Sequence, residues 1–114
     1  MTTDAPVCTS QQHRTQGIAR HENAVVECQV DAFPPQVTFS WRFNGSTEGD
    51  SYPVEGVKTR GTMSYVNYSV NQEQDFGTLL CEAKNDVGKQ VEPCVIHLIP
   101  AGQFSYLYYF IIFK

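Results

Sequence analysis

Four cysteines stand at positions 8, 28, 81 and 94 of a 114-residue chain. Two kinds of chemistry suit them, zinc ligation and disulfide cross-linking. Zinc sites use close pairs such as C-x-x-C, and these thiols are widely spaced. Disulfides need an oxidising compartment, which four cysteines in so short a chain imply. Four cysteines allow three pairings, and their number alone does not choose among them. Other reactive types are scattered. His13, His21 and His97 do not converge with carboxylates at a metal-ligand spacing and read as surface residues. Asp75, His97 and a serine have the composition of a hydrolytic triad, but no nucleophile elbow or glycine-rich oxyanion loop accompanies them. There is no phosphate-binding loop and no dinucleotide fingerprint. The expectation is a non-catalytic protein with no metal, no cofactor and no small-molecule substrate.

Two N-x-S sequons, at Asn44 and Asn67, would accept glycans in a secreted protein. The bland alternative for each is a chance match. Asn44 is expected in a loop just after a strand, and Asn67 on the outward side of one. An occupied Asn67 would block its sheet face.

The elements that must position these residues read as strands. Val26, Cys28 and Val30 alternate with Glu27, Gln29 and Asp31 until AFPPQ breaks the pattern, because proline cannot donate to a ladder. Val37, Phe39, Trp41 and Phe43 then face inward, with Thr38, Ser40 and Arg42 outward. NGSTEGDSYPVEG is turn-rich, with at most a short strand. SYVNYSV alternates again, TLLCEAKN puts Leu79, Cys81 and Ala83 on one face, NDVG links a hairpin, and KQVEPCVIHLI is the last strand. No stretch carries a helical repeat. At 41% hydrophobic and 18% charged the chain is globular, one domain in size, and its net charge of −4 without a Lys/Arg cluster excludes nucleic acid as a partner.

Short strands, turns between them and a Cys…Trp…Cys order point to a two-sheet sandwich. Two sheets about 10 Å apart leave a gap that one disulfide spans, if each sheet gives one cysteine. Cys28 and Cys81 both fall on the apolar faces of their strands, and Trp41 laid against their bridge would fill the middle of a small core.

Cys28, Trp41, DFGTLLC and CEAKNDVG together resemble the intermediate (I-set) or C2-type domains of the immunoglobulin superfamily. The resemblance covers about residues 4–100. DAPVC, DAFPPQVTFSW, GTLLCEAKNDVG and EPCVIHLIPAG are more narrowly similar to an ectodomain module of the insect sidestep family. Members of that family are multi-domain membrane receptors that bind partners of the beaten-path family in axon guidance. The resemblance implies an all-β, immunoglobulin-like Greek-key sandwich. It also implies a second disulfide, Cys8–Cys94, between first and last strands lying side by side. Lastly it implies a recognition module of a neuronal adhesion receptor that binds another immunoglobulin-superfamily protein. A rigid spacer in a receptor ectodomain and a soluble immune-type protein are the alternatives.

One departure stands out. In DFGTLLC, Leu79 occupies the place of the tyrosine whose hydroxyl pins the corner before the second cysteine. Asp75, Gly77 and packing are left to hold it, and the missing hydrogen bond predicts a deficit of about 1 kcal/mol. A candidate partner-binding face carries Arg42, Leu80 and Glu82 among Thr38, Ser40, Thr78 and Lys84. Leu80 is an apolar residue within a polar surround, as interfaces have; an ordinary solvated face with one stray leucine is the alternative. MTTDAPVC has no apolar core and is not a secretory signal. Residues 101–114 are expected to form a disordered or misfit apolar tail, whose stretch 103–114, QFSYLYYFIIFK, is too short for a bilayer. Both ends fit a chain that is one exon's worth of a longer receptor, its tail read past the exon end.

Overall fold

The computed structural model describes residues 4–45 and 49–101. The expectations for the tail beyond Ala101, and Ser46 of the first sequon, lie outside the described residues. The described residues form nine strands: β1 Asp4–Cys8, β2 Thr15–Ile18, β3 Asn23–Phe33, β4 Thr38–Asn44, β5 Ser51–Pro53, β6 Lys58–Arg60, β7 Met63–Ser69, β8 Gly77–Lys84 and β9 Cys94–Pro100. They form two sheets, β1-β3-β7-β6 and β2-β9-β8-β4-β5, packed as an immunoglobulin-like sandwich.

Period-two alternation places the core. Val26, Cys28 and Val30 of β3 and Val66 and Tyr68 of β7 face Trp41, Phe43, Leu79, Cys81 and Ile96 of the opposite sheet, all buried. The Cys28–Cys81 bridge spans the sheets with a Cα–Cα distance of 6.5 Å. Trp41 lies directly across from Cys81 on β4, and Ser64 directly across from Cys28 on β7. The indole Nε1 donates to Ser64 Oγ at 2.9 Å, and that hydroxyl donates to Lys58 O at 2.9 Å. A polar atom in the middle of the core is thereby satisfied, which is why a fully buried serine is tolerated there.

Several elements differ from their sequence expectation. β3 runs on through Phe33, past the start of AFPPQ. Asn44 is not in a loop; it closes β4, paired with Ser51 of β5. β2 and β6 have only four and three residues and no alternation to betray them. The first strand does not lie beside the last. β1 pairs antiparallel with β3, and the chain then crosses to the other sheet, where β2 pairs parallel with β9. Cys8 and Cys94 therefore bridge the two sheets at one end of the sandwich, Cα–Cα 5.7 Å.

That crossing uncovers the β3 edge between β1 and the next turn, and glutamine side chains take the place of a strand. Gln12 Oε1 accepts from Gln29 N at 2.6 Å, Gln12 Nε2 donates to Glu27 O at 2.8 Å, and Gln16 Nε2 donates to Val25 O at 3.1 Å. The last strand is shorter than KQVEPCVIHLI for a related reason. Pro93 cannot donate, and the chain from Lys89 to Pro93 leaves the sheet except at one bridge, Lys84 with Lys89. Gln90, 3% exposed, substitutes for the ladder: its Oε1 accepts from Ala83 N at 2.6 Å and its Nε2 donates to Glu92 O at 3.1 Å. Asn85 closes the preceding hairpin, its Oδ1 accepting from Val87 N and Gly88 N. Its Nδ2 donates to Asp4 O and Pro34 O, tying that turn to β1 and to the end of β3.

The corner before β8 does not lack its hydroxyl bond. Tyr68, at the far end of β7, donates to Asp75 O at 2.7 Å. Asp75 lies in a 3-10 turn, Glu73–Asp75, and its Oδ2 accepts from Asn71 N and Gln72 N. Leu79 is free to be wholly apolar and is completely buried. The deficit expected from DFGTLLC is thus made good by a residue on another strand. Tyr68→Phe should cost about 1 kcal/mol in urea unfolding. Burial, with Tyr52 and Asp75 adding, raises the Tyr68 phenol far above its ordinary value of 10.0. The native state therefore keeps a proton that the unfolded chain releases. That stabilisation is whole below about pH 10 and is lost as pH rises further. Across alkaline pH the Tyr68→Phe protein should lose stability less steeply than the wild type, and parallel curves would contradict the assignment.

Candidate recognition surface

The outward side of β9, β8 and β4 is built by the same alternation that fills the core. Register aligns its residues in rows across the three strands. Val95, Leu80 and Arg42 form one row, with Pro53 of β5 at its end. Glu82 stands opposite Ser40, and Lys84 opposite Thr38, on one side of that row. His97, Thr78 and Asn44 form the row on the other side. Leu80 is half-buried and Val95 is 36% exposed, so two branched apolar side chains meet side by side on a sheet surface.

The polar residues around this pair are arranged by local bonds. Arg42 Nε donates to Ser51 Oγ at 2.7 Å, and that hydroxyl donates to Asn44 Oδ1 at 2.6 Å. The rest of the guanidinium makes no ion pair among the described residues, where the one salt bridge is Arg20–Glu73. Arg42 is thus fixed at one nitrogen, and among the described residues the others have no hydrogen-bond partner, an arrangement suited to a carboxylate or carbonyl on another molecule. Glu82 is half-buried beside Leu80, and Thr78 Oγ1 lies 3.4 Å from His97 Nδ1. The surface has an apolar centre, both signs of charge and a hydroxyl-rich rim. A groove of about 380 Å³ opens beside Val95, lined by Val7, Arg14, Val91 and the Cys8–Cys94 bridge. Among the described residues no group of three His, Cys, Asp or Glu side chains converges as metal ligands.

The predicted site residues separate into five places, the Cys8–Cys94 bridge at one end of the sandwich being the first. Cys28, Cys81, Trp41 and Leu79 lie in the core; Asp75 and Gly77 lie at the corner; Arg42, Leu80 and Glu82 lie together on the outward face. Asn44 lies at the rim of that same face, whereas Asn67 lies on the outer side of the other sheet, opposite Val25. Sequence reasoning passed over Val95, although its alternation with Cys94 and Ile96 marks it as outward. Only the β8–β9 register places it beside Leu80.

Comparison with known proteins agrees with this architecture. A family model described as an immunoglobulin domain matches residues 5–85, that is, from β1 through the end of β8. No curated protein sequence matches the chain. Among solved structures, one of Dscam isoforms superposes with a TM-score of 0.64 at 17% identity, covering 88% of this chain and 25% of that one. Titin domains I67–I69 give 0.64 at 18% identity, covering 86% and 33%. A complex of titin M10 with an obscurin-like 1 immunoglobulin domain gives 0.60 at 16% identity, covering 83% and 92%. At such identities the likeness is one of fold. The chain spans about a quarter of the length of the Dscam chain.

Proposed function

The chain belongs to the immunoglobulin domain family, and we propose that it is a non-catalytic extracellular recognition module of a neuronal, sidestep-like adhesion receptor. It binds another immunoglobulin-superfamily protein through the β9-β8-β4 face. The observation that carries this reading is the Val95–Leu80–Arg42 row, in which an apolar centre sits beside an exposed guanidinium that makes no ion pair among the described residues. Such a centre inside a polar rim is the anatomy of a specific interface, where Arg and branched or aromatic anchors concentrate the binding energy. Two disulfides support an oxidising, extracellular setting. The titin M10–obscurin-like 1 complex supports the idea that one domain of this kind takes another as its partner. Among the described residues no helix is long and apolar enough to cross a membrane.

The full chain, secreted behind an added signal, should bind at least one member of a panel of immunoglobulin-superfamily ectodomains saturably. If it binds none at micromolar concentration, the recognition reading fails and a spacer role takes its place.

A further inference from the structure

The two sequons sit on opposite faces of the sandwich, and their surroundings differ. Asn67 is exposed on β7, and its side chain makes no hydrogen bond among the described residues. It stands opposite Val25 of β3, itself 49% exposed, with Tyr65 and Ser69 two residues away on the same side of the strand. On its other flank the sheet stops. β6 pairs with β7 only from Met63 to Tyr65, so among the described residues the β7 edge beside Asn67 has no neighbouring strand. A large substituent on the Asn67 amide would project from a sheet corner into open solvent. It would also cover Val25, the exposed apolar residue of that face.

Asn44 is different in each respect. It is half-buried, and its Oδ1 accepts from Ser51 Oγ, which in turn accepts from Arg42 Nε. The chain turns sharply after it, Gly45 N donating to Asp50 O at 2.7 Å. Its place in the His97–Thr78–Asn44 row puts it at the rim of the proposed recognition face. A glycan on its Nδ2 would stand on a half-buried side chain held in place through Oδ1, and it would overhang Leu80.

We propose that Asn67, and not Asn44, carries an N-linked glycan. That glycan shields the outer face of β1-β3-β7-β6 and leaves β9-β8-β4 as the open face for a protein partner. This assignment rests on the extracellular reading above.

The test is the full chain expressed behind a secretion signal in glycosylating cells. Peptide:N-glycosidase in heavy-oxygen water then marks each formerly occupied asparagine for mass spectrometry. The expected result is the mark at Asn67 alone, with one gel-mobility step lost in both Asn67→Gln and Ser69→Ala. Secreted, disulfide-bonded protein marked at Asn44, or at neither position, overturns the assignment while leaving the extracellular reading intact. Retention in the cell with thiols open to maleimide overturns both.

Discussion

Replacing Cys28 and Cys81 together by alanine is expected to lower the unfolding free energy by more than about 4 kcal/mol, the chain-entropy contribution of closing a loop of this length. The two cysteines are separated by 53 residues and are completely buried. Their loss also leaves a void against Trp41, whose lining atoms forfeit contacts with nothing to replace them. The Cys8–Cys94 pair is separated by 86 residues, so loop entropy alone would rank it higher. Cys8 is only half-buried, however, and that bridge stands at one end of the sandwich. Void and loop terms add at Cys28–Cys81, whereas loop closure dominates at Cys8–Cys94. Urea unfolding of the two double variants should find the Cys28/Cys81 variant the less stable. A domain of this size typically has about 5–15 kcal/mol in all, so either loss would leave it marginal. A larger loss from the Cys8/Cys94 variant would show that packing around the central bridge contributes little.

The second large effect is expected at Gly77, where the reason is space rather than backbone conformation. A β-carbon there would lie 2.6 Å from Asn44 O and 2.8 Å from Phe43 Cζ. Phe43 is held by Tyr52 on one side and Tyr68 on the other, ring centroids 5.1 and 6.0 Å away. Asn44 O belongs to the β4 backbone at the end of its pairing with β8. Neither neighbour retreats without disturbing the aromatic group or the strand end, so Gly77→Ala should cost about 3 kcal/mol, at the upper end for overpacking. The adjacent Thr78→Ala, on the outward side, should change stability by about 0.5 kcal/mol or less. Equal small effects at both positions would mean that the corner yields.

These two sites also show what was legible in the sequence. Alternation of Val26, Cys28 and Val30 against Glu27 and Gln29, and of Phe39, Trp41 and Phe43 against Ser40 and Arg42, marks strands whose burial follows directly from the pleat. Strands that are brief and polar, such as TQGI and KTR, carry no such signal, because pairing with β9 and β7 decides them. The overlong last strand has a physical cause as well. Gln90 and Val91 extend an apparent strand pattern, yet the amide of Gln90 makes the bond to Ala83 N that backbone would otherwise make. The corner was misjudged because a hydrogen bond needs a hydroxyl within reach, not at one sequence position, and Tyr68 reaches Asp75 from another strand. On the proposed recognition face, the outward positions of Arg42, Leu80 and Glu82 are readable from parity alone. Val95 required the register of two strands joined by an irregular turn.

The measurement that tests the recognition reading most directly sets one face against the other. Leu80→Arg and Val25→Arg each place a charge on an outward position, one on β8 and one on β3, without entering the core. Both proteins should unfold within about 0.5 kcal/mol of the wild type, as surface changes do. Affinity for the partner found in the ectodomain panel should fall at least about 30-fold for Leu80→Arg, the effect of losing about 2 kcal/mol at an interface centre. Val25→Arg should leave it unchanged. Undiminished binding by Leu80→Arg, or a loss confined to Val25→Arg, would contradict the assignment of the β9-β8-β4 face.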